Sequence, residues 1–141
     1  MTPPDPATEG RRRADEYLAL LGRDDDAAAA LLAGLADVRD LAFLGAGLTA
    51  LARAEARLLP PAQRAQANTR QVRLGEFRDS QRNDAEGLRT WLRRAGEEIA
   101  LIRSQQAVAD RVIAADQEWT ATRAAAEASG TSAASSPATS T

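Results

Sequence analysis

The sequence predicts an all-α protein, a long antiparallel helical hairpin or bundle with a short N-terminal helix and disordered termini. Alanine, the best helix former, dominates the apolar residues. Apolar side chains recur every three or four residues within 31–58 and again within 88–119, which is the period of amphipathic helices. A chain of 141 residues is enough for one domain. We therefore expect a flexible arm over 1–7 and a single helical domain over 8–128.

The first two predicted helices cover about 9–21 and 25–59. Thr8 is the expected cap of the first helix, and Asp24-Asp25-Asp26 suits the N-terminus of the second. Pro60-Pro61 ends the second helix. Its expected interface row is Leu31, Leu35, Val38, Leu41, Leu44, Leu48, Leu51 and Leu58. Gly45 and Gly47 lie inside this helix and indicate the close approach of another helix.

The middle of the chain is basic and poor in large apolar residues. Residues 62–94 carry eight arginines against four acids, although the whole chain has a net charge of −2. A third helix is predicted over 62–86, with Asn83-Asp84 and Gly87 as candidate breaks. A fourth is predicted over 84–128, and the pattern also allows these two helices to be one.

The fourth helix carries the widest apolar stripe of the sequence. Gln106 and Asp116 interrupt one of its two rows, so we do not expect a long two-stranded rod from this helix alone. Packing of this stripe against the apolar row of 31–58 explains why both segments are amphipathic. The uncharged Ser/Thr/Ala tail over 129–141 is expected to be disordered. The expected interface residues of the fourth helix are Leu88, Trp91, Leu92, Ile99, Ile102, Val108, Val112, Ile113 and Trp119.

The composition removes most catalytic chemistry. The chain has no cysteine, histidine or lysine, so thiolate, imidazole and Schiff-base mechanisms are excluded. Asp110, Asp116 and Glu118 are the remaining candidates for a carboxylate or magnesium site. Asp110 and Asp116 share a helix face poorly, which favours solvated charges. We expect no enzymatic activity, no cofactor, no bound metal and no small-molecule substrate.

The predicted function is a non-enzymatic assembly or interaction protein: a structural subunit, a scaffold or a helical chaperone of a larger complex. The apolar stripes look wider than one hairpin covers, so we expect a homo-oligomer, a helical protein partner, or both. Small helical components of phages and secretion systems have this general character, but no motif assigns a family. A cytoplasmic location is the default, because no signal peptide or membrane span is visible, with a virion or secretion apparatus as the alternative.

Two other functions stay open at the level of sequence. A membrane-surface helix at 41–52 is the weaker one, since that apolar run is too short to cross a bilayer. Nucleic-acid binding through the basic segment is the stronger one, although interleaved acids favour a solvated or ion-paired face. The arginines available for phosphate contacts are Arg64, Arg70, Arg73, Arg78, Arg82, Arg89, Arg93 and Arg94.

Overall fold

The all-α prediction is confirmed in the computed structural model, which describes residues 5–135 and the side chains of residues 5–130. Within that range no helix combines the length and the hydropathy needed to cross a bilayer. The described residues form five helices, namely α1 (Pro6–Leu20), α2 (Asp25–Gly34), α3 (Val38–Ala56), α4 (Pro61–Ser80) and α5 (Ala85–Ser135).

Helix α1 begins earlier than the sequence predicts. Asp5, not Thr8, is the cap: its carboxylate accepts the backbone N–H of Thr8 at 3.4 Å. Pro6 then fits the first helical position, where a missing N–H costs nothing. Part of the predicted arm over 1–7 is therefore helical, and residues 1–4 lie outside the described range.

The turn between α1 and α2 depends on one glycine and two aspartates. Gly22 has a φ of 85°, a conformation that side chains disfavour. Its N–H donates to Oδ1 of Asp25 at 2.9 Å. Asp24 caps α2 by accepting the N–H of Ala27 at 3.1 Å. The predicted capping role of the aspartate run is confirmed.

The helix predicted over 25–59 is instead two helices. The chain leaves the helical path after Gly34, and Asp37 starts α3 by accepting the N–H of Arg39 at 2.9 Å. Arg89 of α5 stabilises the break, since its guanidinium donates to the carbonyls of Leu32 at 3.1 Å and Leu35 at 3.0 Å. A basic side chain here satisfies carbonyls that a helix end leaves free.

Helices α4 and α5 are not continuous. The chain turns over 81–84, and the carboxylate of Asp84 accepts the N–H of Glu86 at 3.1 Å, so the predicted break at Asn83-Asp84 is correct. Gly87 is not a break and lies inside α5, with the Gln81 side chain against it. Helix α5 includes the start of the predicted tail over 129–141, and residues 136–141 lie outside the described range.

Glycines bring α1 and α3 together. A Cβ on Gly10 would lie 2.7 Å from the carbonyl oxygen of Phe43, and one on Gly47 would lie 2.6 Å from the carbonyl carbon of Gly10. Neither distance is possible for a real side chain, so both positions require glycine at this backbone separation. The close approach predicted for Gly47 is confirmed, and its partner is α1.

Two further glycines fit α5 against the other helices. The indole of Trp91 occupies the space that a side chain on Gly45 would fill. The Tyr17 ring lies beside Gly96, 2.9 Å from the position that a Cβ on Gly96 would take. The core therefore joins α1, α3 and α5. Its largest fully buried side chains are Tyr17, Leu41, Leu44, Leu48, Leu92, Ile99 and Ile102.

Candidate interaction surface

The chain divides into two compact units, with the boundary between Gln106 and Ala107. In the first unit, most of the predicted interface residues belong to its own core. Leu31 and Leu35 are half-buried. The predicted residues that are buried are Leu41, Leu44, Leu48, Leu51, Leu88, Trp91, Leu92, Ile99 and Ile102.

Two predicted interface residues of the first unit are exposed. Leu58 retains 75% of its surface because α3 ends at Ala56, and the turn that follows rotates Leu59 into the core instead. Val38 retains 38% because it is the first residue of α3. Both residues therefore lie outside the core, and the prediction included them because the three-four period was extended past a helix end.

The second unit contains the rest of α5 and displays an apolar row. Val108, Val112, Ala115 and Trp119, here called the α5 row, follow one another in steps of four, three and four residues. Val108 keeps 46% of its surface exposed, Val112 62% and Trp119 64%. Ile113, beside the row, is 56% exposed. This spacing is that of a coiled-coil seam, so one face of the segment suits another helix.

Charged residues border the α5 row. Arg111 and Glu118 lie on one side of it and Asp116 and Arg123 on the other, when the helix is divided into heptads. Arg123 pairs with Glu127 at 3.2 Å. Within residues 5–130, the other three have no oppositely charged partner within 4.0 Å.

In the first unit, polar contacts hold α5 to α3 and α4. Arg70 of α4 pairs with Glu98 of α5, a carboxylate that is only 6% exposed. Arg103 donates to both carboxylate oxygens of Glu55, and the amide of Gln106 donates to the Glu55 carbonyl at 2.5 Å. Gln106 is the residue that interrupts the predicted apolar row of the fourth helix. It faces the polar carboxyl end of α3 and not an apolar neighbour.

Several arginines proposed for phosphate contacts already hold internal partners. Arg70 and Arg89 bind a carboxylate and helix-end carbonyls, as described above. Arg94 lies over the Phe77 ring at 4.5 Å, a cation–π distance. Such contacts fix these guanidiniums in the fold and weaken the case for a continuous nucleic-acid surface. Of the remaining arginines, Arg78 and Arg82 lie near Asp79. No carboxylate among residues 5–130 lies within 4.0 Å of Arg64, Arg73 or Arg93.

The remaining sequence hypotheses also have definite places in the structure. The leucines of 41–52 and Ala52 are buried in the core, so this segment presents Ala42, Ala46 and Ala50 outward. Asp110, Asp116 and Glu118 are exposed on α5. Among the described side chains, no three carboxylates come close enough to hold a metal ion.

Sequence reasoning missed the contribution of α1 to the core. Gly10, Ala14 and Tyr17 are buried and lie four and three residues apart, which is one face of a helix. The signal was present, but Gly10 and Ala14 are small, so the period of large apolar side chains does not include them. Tyr17 is buried by α5, and burial together with the charge of Glu97 raises its pKa above 10.

Comparison with protein-family models, with curated protein sequences and with solved structures gives no match.

Proposed function

We propose that this protein is a non-enzymatic helical assembly protein that self-associates through the α5 row. One observation carries the proposal: four large apolar side chains stay exposed on a single helical segment, while the first unit buries its own core. Exposed apolar surface arranged in one continuous stripe is typical of interaction sites. A helix is the partner that fits a row spaced by fours and threes.

The charges beside the row support a second copy of this chain as the partner. Consider a parallel pair of helices in equal register. The residue immediately before a core position on one helix then faces the residue five positions later in the sequence on the other helix. Arg111 would then face Asp116 of the second copy, and Glu118 would face its Arg123. Both contacts are attractive, and symmetry repeats each of them.

An antiparallel arrangement is less well matched. Packing Val112 against Ala115 of the other copy would preserve the Arg111–Glu118 contact but would set Asp116 against Ala109. The parallel arrangement therefore forms twice as many favourable charge contacts. Exposed ion pairs of this kind determine orientation more than they add affinity.

A cysteine at the centre of the row tests both the association and its direction. The chain has no cysteine of its own, so Val112→Cys introduces a single thiol. In parallel, equal-register helices two such thiols meet, and mild oxidation should link most of the protein into covalent dimers. Gln117→Cys, on the opposite face of the same helix, is the matched control and should remain monomeric on denaturing gels.

Two outcomes would overturn this arrangement. Equal cross-linking of both cysteine variants would mean random collision, not a defined interface. Cross-linking of Val112→Cys only with an Ala115→Cys chain would show the antiparallel arrangement. Ile99→Asp and Leu48→Asp are unsuitable tests of assembly, because both residues are fully buried in the core and these changes would unfold the first unit.

A further inference from the structure

A cleft of about 500 Å³ lies between α3, α4 and α5 within the first unit. Trp91, Leu74 and Ala95 form its apolar floor, and the side chain of Leu48 next to them is fully buried. The volume is within the range of sites for small molecules. No sequence pattern indicated this cleft, because its walls come from three separate helices.

Four arginines surround this cleft, which we call the arginine cleft. Arg53 and Arg57 are one turn apart near the end of α3, and Arg64 belongs to the first turn of α4. These three have no carboxylate within 4.0 Å among the described residues. Arg78 also lines the cleft, pairs with Asp79 at 3.2 Å and lies 5.8 Å from the centre of the Trp91 ring.

The negative charge of the cleft is already neutralised. Glu98 is the one carboxylate lining it, and Arg70 donates from Nε to both of its oxygens, at 2.9 and 2.7 Å. The three arginines at the α3–α4 end therefore present an excess of positive charge beside an apolar floor. A guanidinium presents several N–H donors in a plane, which suits carboxylate, phosphate and sulfonate groups.

We infer that the arginine cleft binds a small organic anion that has an aromatic or aliphatic body. Its acidic group would contact Arg53, Arg57 and Arg64, and its apolar body would cover the floor beside Trp91. The volume of the cleft favours a small molecule over a folded partner. This inference is independent of self-association, since every residue of the cleft belongs to the first unit.

Tryptophan fluorescence tests the inference directly. In a Trp119→Phe background, Trp91 is the sole tryptophan and reports on the cleft. The probe is anilinonaphthalene sulfonate, and N-phenylnaphthylamine is its uncharged counterpart with the same apolar body. We expect the sulfonate to quench Trp91 emission with saturation and to bind at least several-fold more tightly than the amine.

Arginine variants identify the site. Arg57→Gln/Arg64→Gln should weaken sulfonate binding about tenfold and leave amine binding unchanged, since each exposed charge contact contributes modestly. Arg57→Lys/Arg64→Lys keeps the charges and should retain most of the affinity. Arg11→Gln, an exposed change on α1, is the control and should have no effect.

Three results would overturn the inference: equal affinity for both probes, sulfonate binding that survives the glutamine double variant, or no saturable quenching of Trp91. The lysine double variant and the comparison of the two probes keep all the positive charges in place, so they test the inference even if the glutamine double variant does not fold.

Discussion

Arg70 and Glu98 form the most buried ion pair among the described residues, joining α4 to α5 with both carboxylate oxygens engaged by one Nε. Glu98 is 6% exposed, whereas the Arg70 side chain keeps 28% of its surface. The carboxylate is therefore the member that depends on its partner. Removing the arginine would leave a charge in the interior with nothing to replace the lost water.

Arg70→Leu should lower the free energy of unfolding by about 2 kcal/mol, which is less than the cost of about 3–5 kcal/mol for breaking a fully buried pair, because the arginine is partly exposed. The double variant Arg70→Leu/Glu98→Leu should recover most of this loss, since it removes both charges together. Urea unfolding of the parent, both single variants and the double variant measures the coupling. Additive effects of the two single changes would show that the pair does not couple α4 to α5.

Gly47→Ala should destabilise the protein by about 1–3 kcal/mol, since the new methyl group would collide with the Gly10 backbone. Gly75→Ala is the matched control inside α4, where the nearest atom to an added Cβ is a mobile Arg78 nitrogen at 3.9 Å. That change should stabilise the protein by about 0.5–1 kcal/mol through helix propensity. Thermal unfolding should move the two melting temperatures in opposite directions, and a shared direction would contradict the close approach of α1 and α3.

Glu9 gives the protein a dependence on acidic pH. Hydrogen bonds from Arg12 and Arg13 lower its pKa from 4.5 to about 2. The unfolded chain therefore takes up this proton first, and the stabilisation is complete above pH 4.5 and is lost as the pH falls toward 2. Urea midpoints of the parent and Glu9→Gln should differ at pH 6, and the difference should shrink below pH 4.5 and disappear only as the pH approaches 2. A constant difference across this range would mean that the carboxylate charge is not responsible.

Tyr17 gives a second dependence at alkaline pH. Burial and the nearby Glu97 raise its pKa above 10, so the unfolded chain loses this proton first and stability falls as the pH rises through and above 10. Tyr17 is the only tyrosine, and the ultraviolet absorbance of tyrosinate therefore reports it alone. The native midpoint should lie above that of the urea-unfolded chain. Coincident midpoints would place the Tyr17 ring in water.

The helical class and most of the core were predictable from the sequence, because the three-four spacing of leucines is a property of each helix by itself. The break after Gly34 was not predictable, since no proline marks it and part of the stabilisation comes from Arg89, 55 residues further along the chain. A local sequence pattern does not reveal tertiary contacts of this kind. The glycine signal at Gly45 and Gly47 was clearer, because a glycine retained in a helix interior usually has a packing reason.

The candidate surface was predicted in part. The row containing Val108, Val112 and Trp119 was visible as a period of fours and threes. This period predicts packing of the row against the 31–58 row, but Val108, Val112 and Trp119 are exposed. A period alone does not distinguish a core from an interface. Arg53 and Arg57 were missed altogether, since their importance depends on which helix ends meet.

Light scattering coupled to size exclusion tests the central claim of self-association most directly. The monomer mass is 15.0 kDa. We expect the parent to approach a multiple of this mass as its concentration rises to about 1 mM, and Val112→Asp, at an exposed position, to stay at the monomer mass with unchanged helicity. A parent protein that remains at 15.0 kDa throughout this range would contradict self-association through the α5 row.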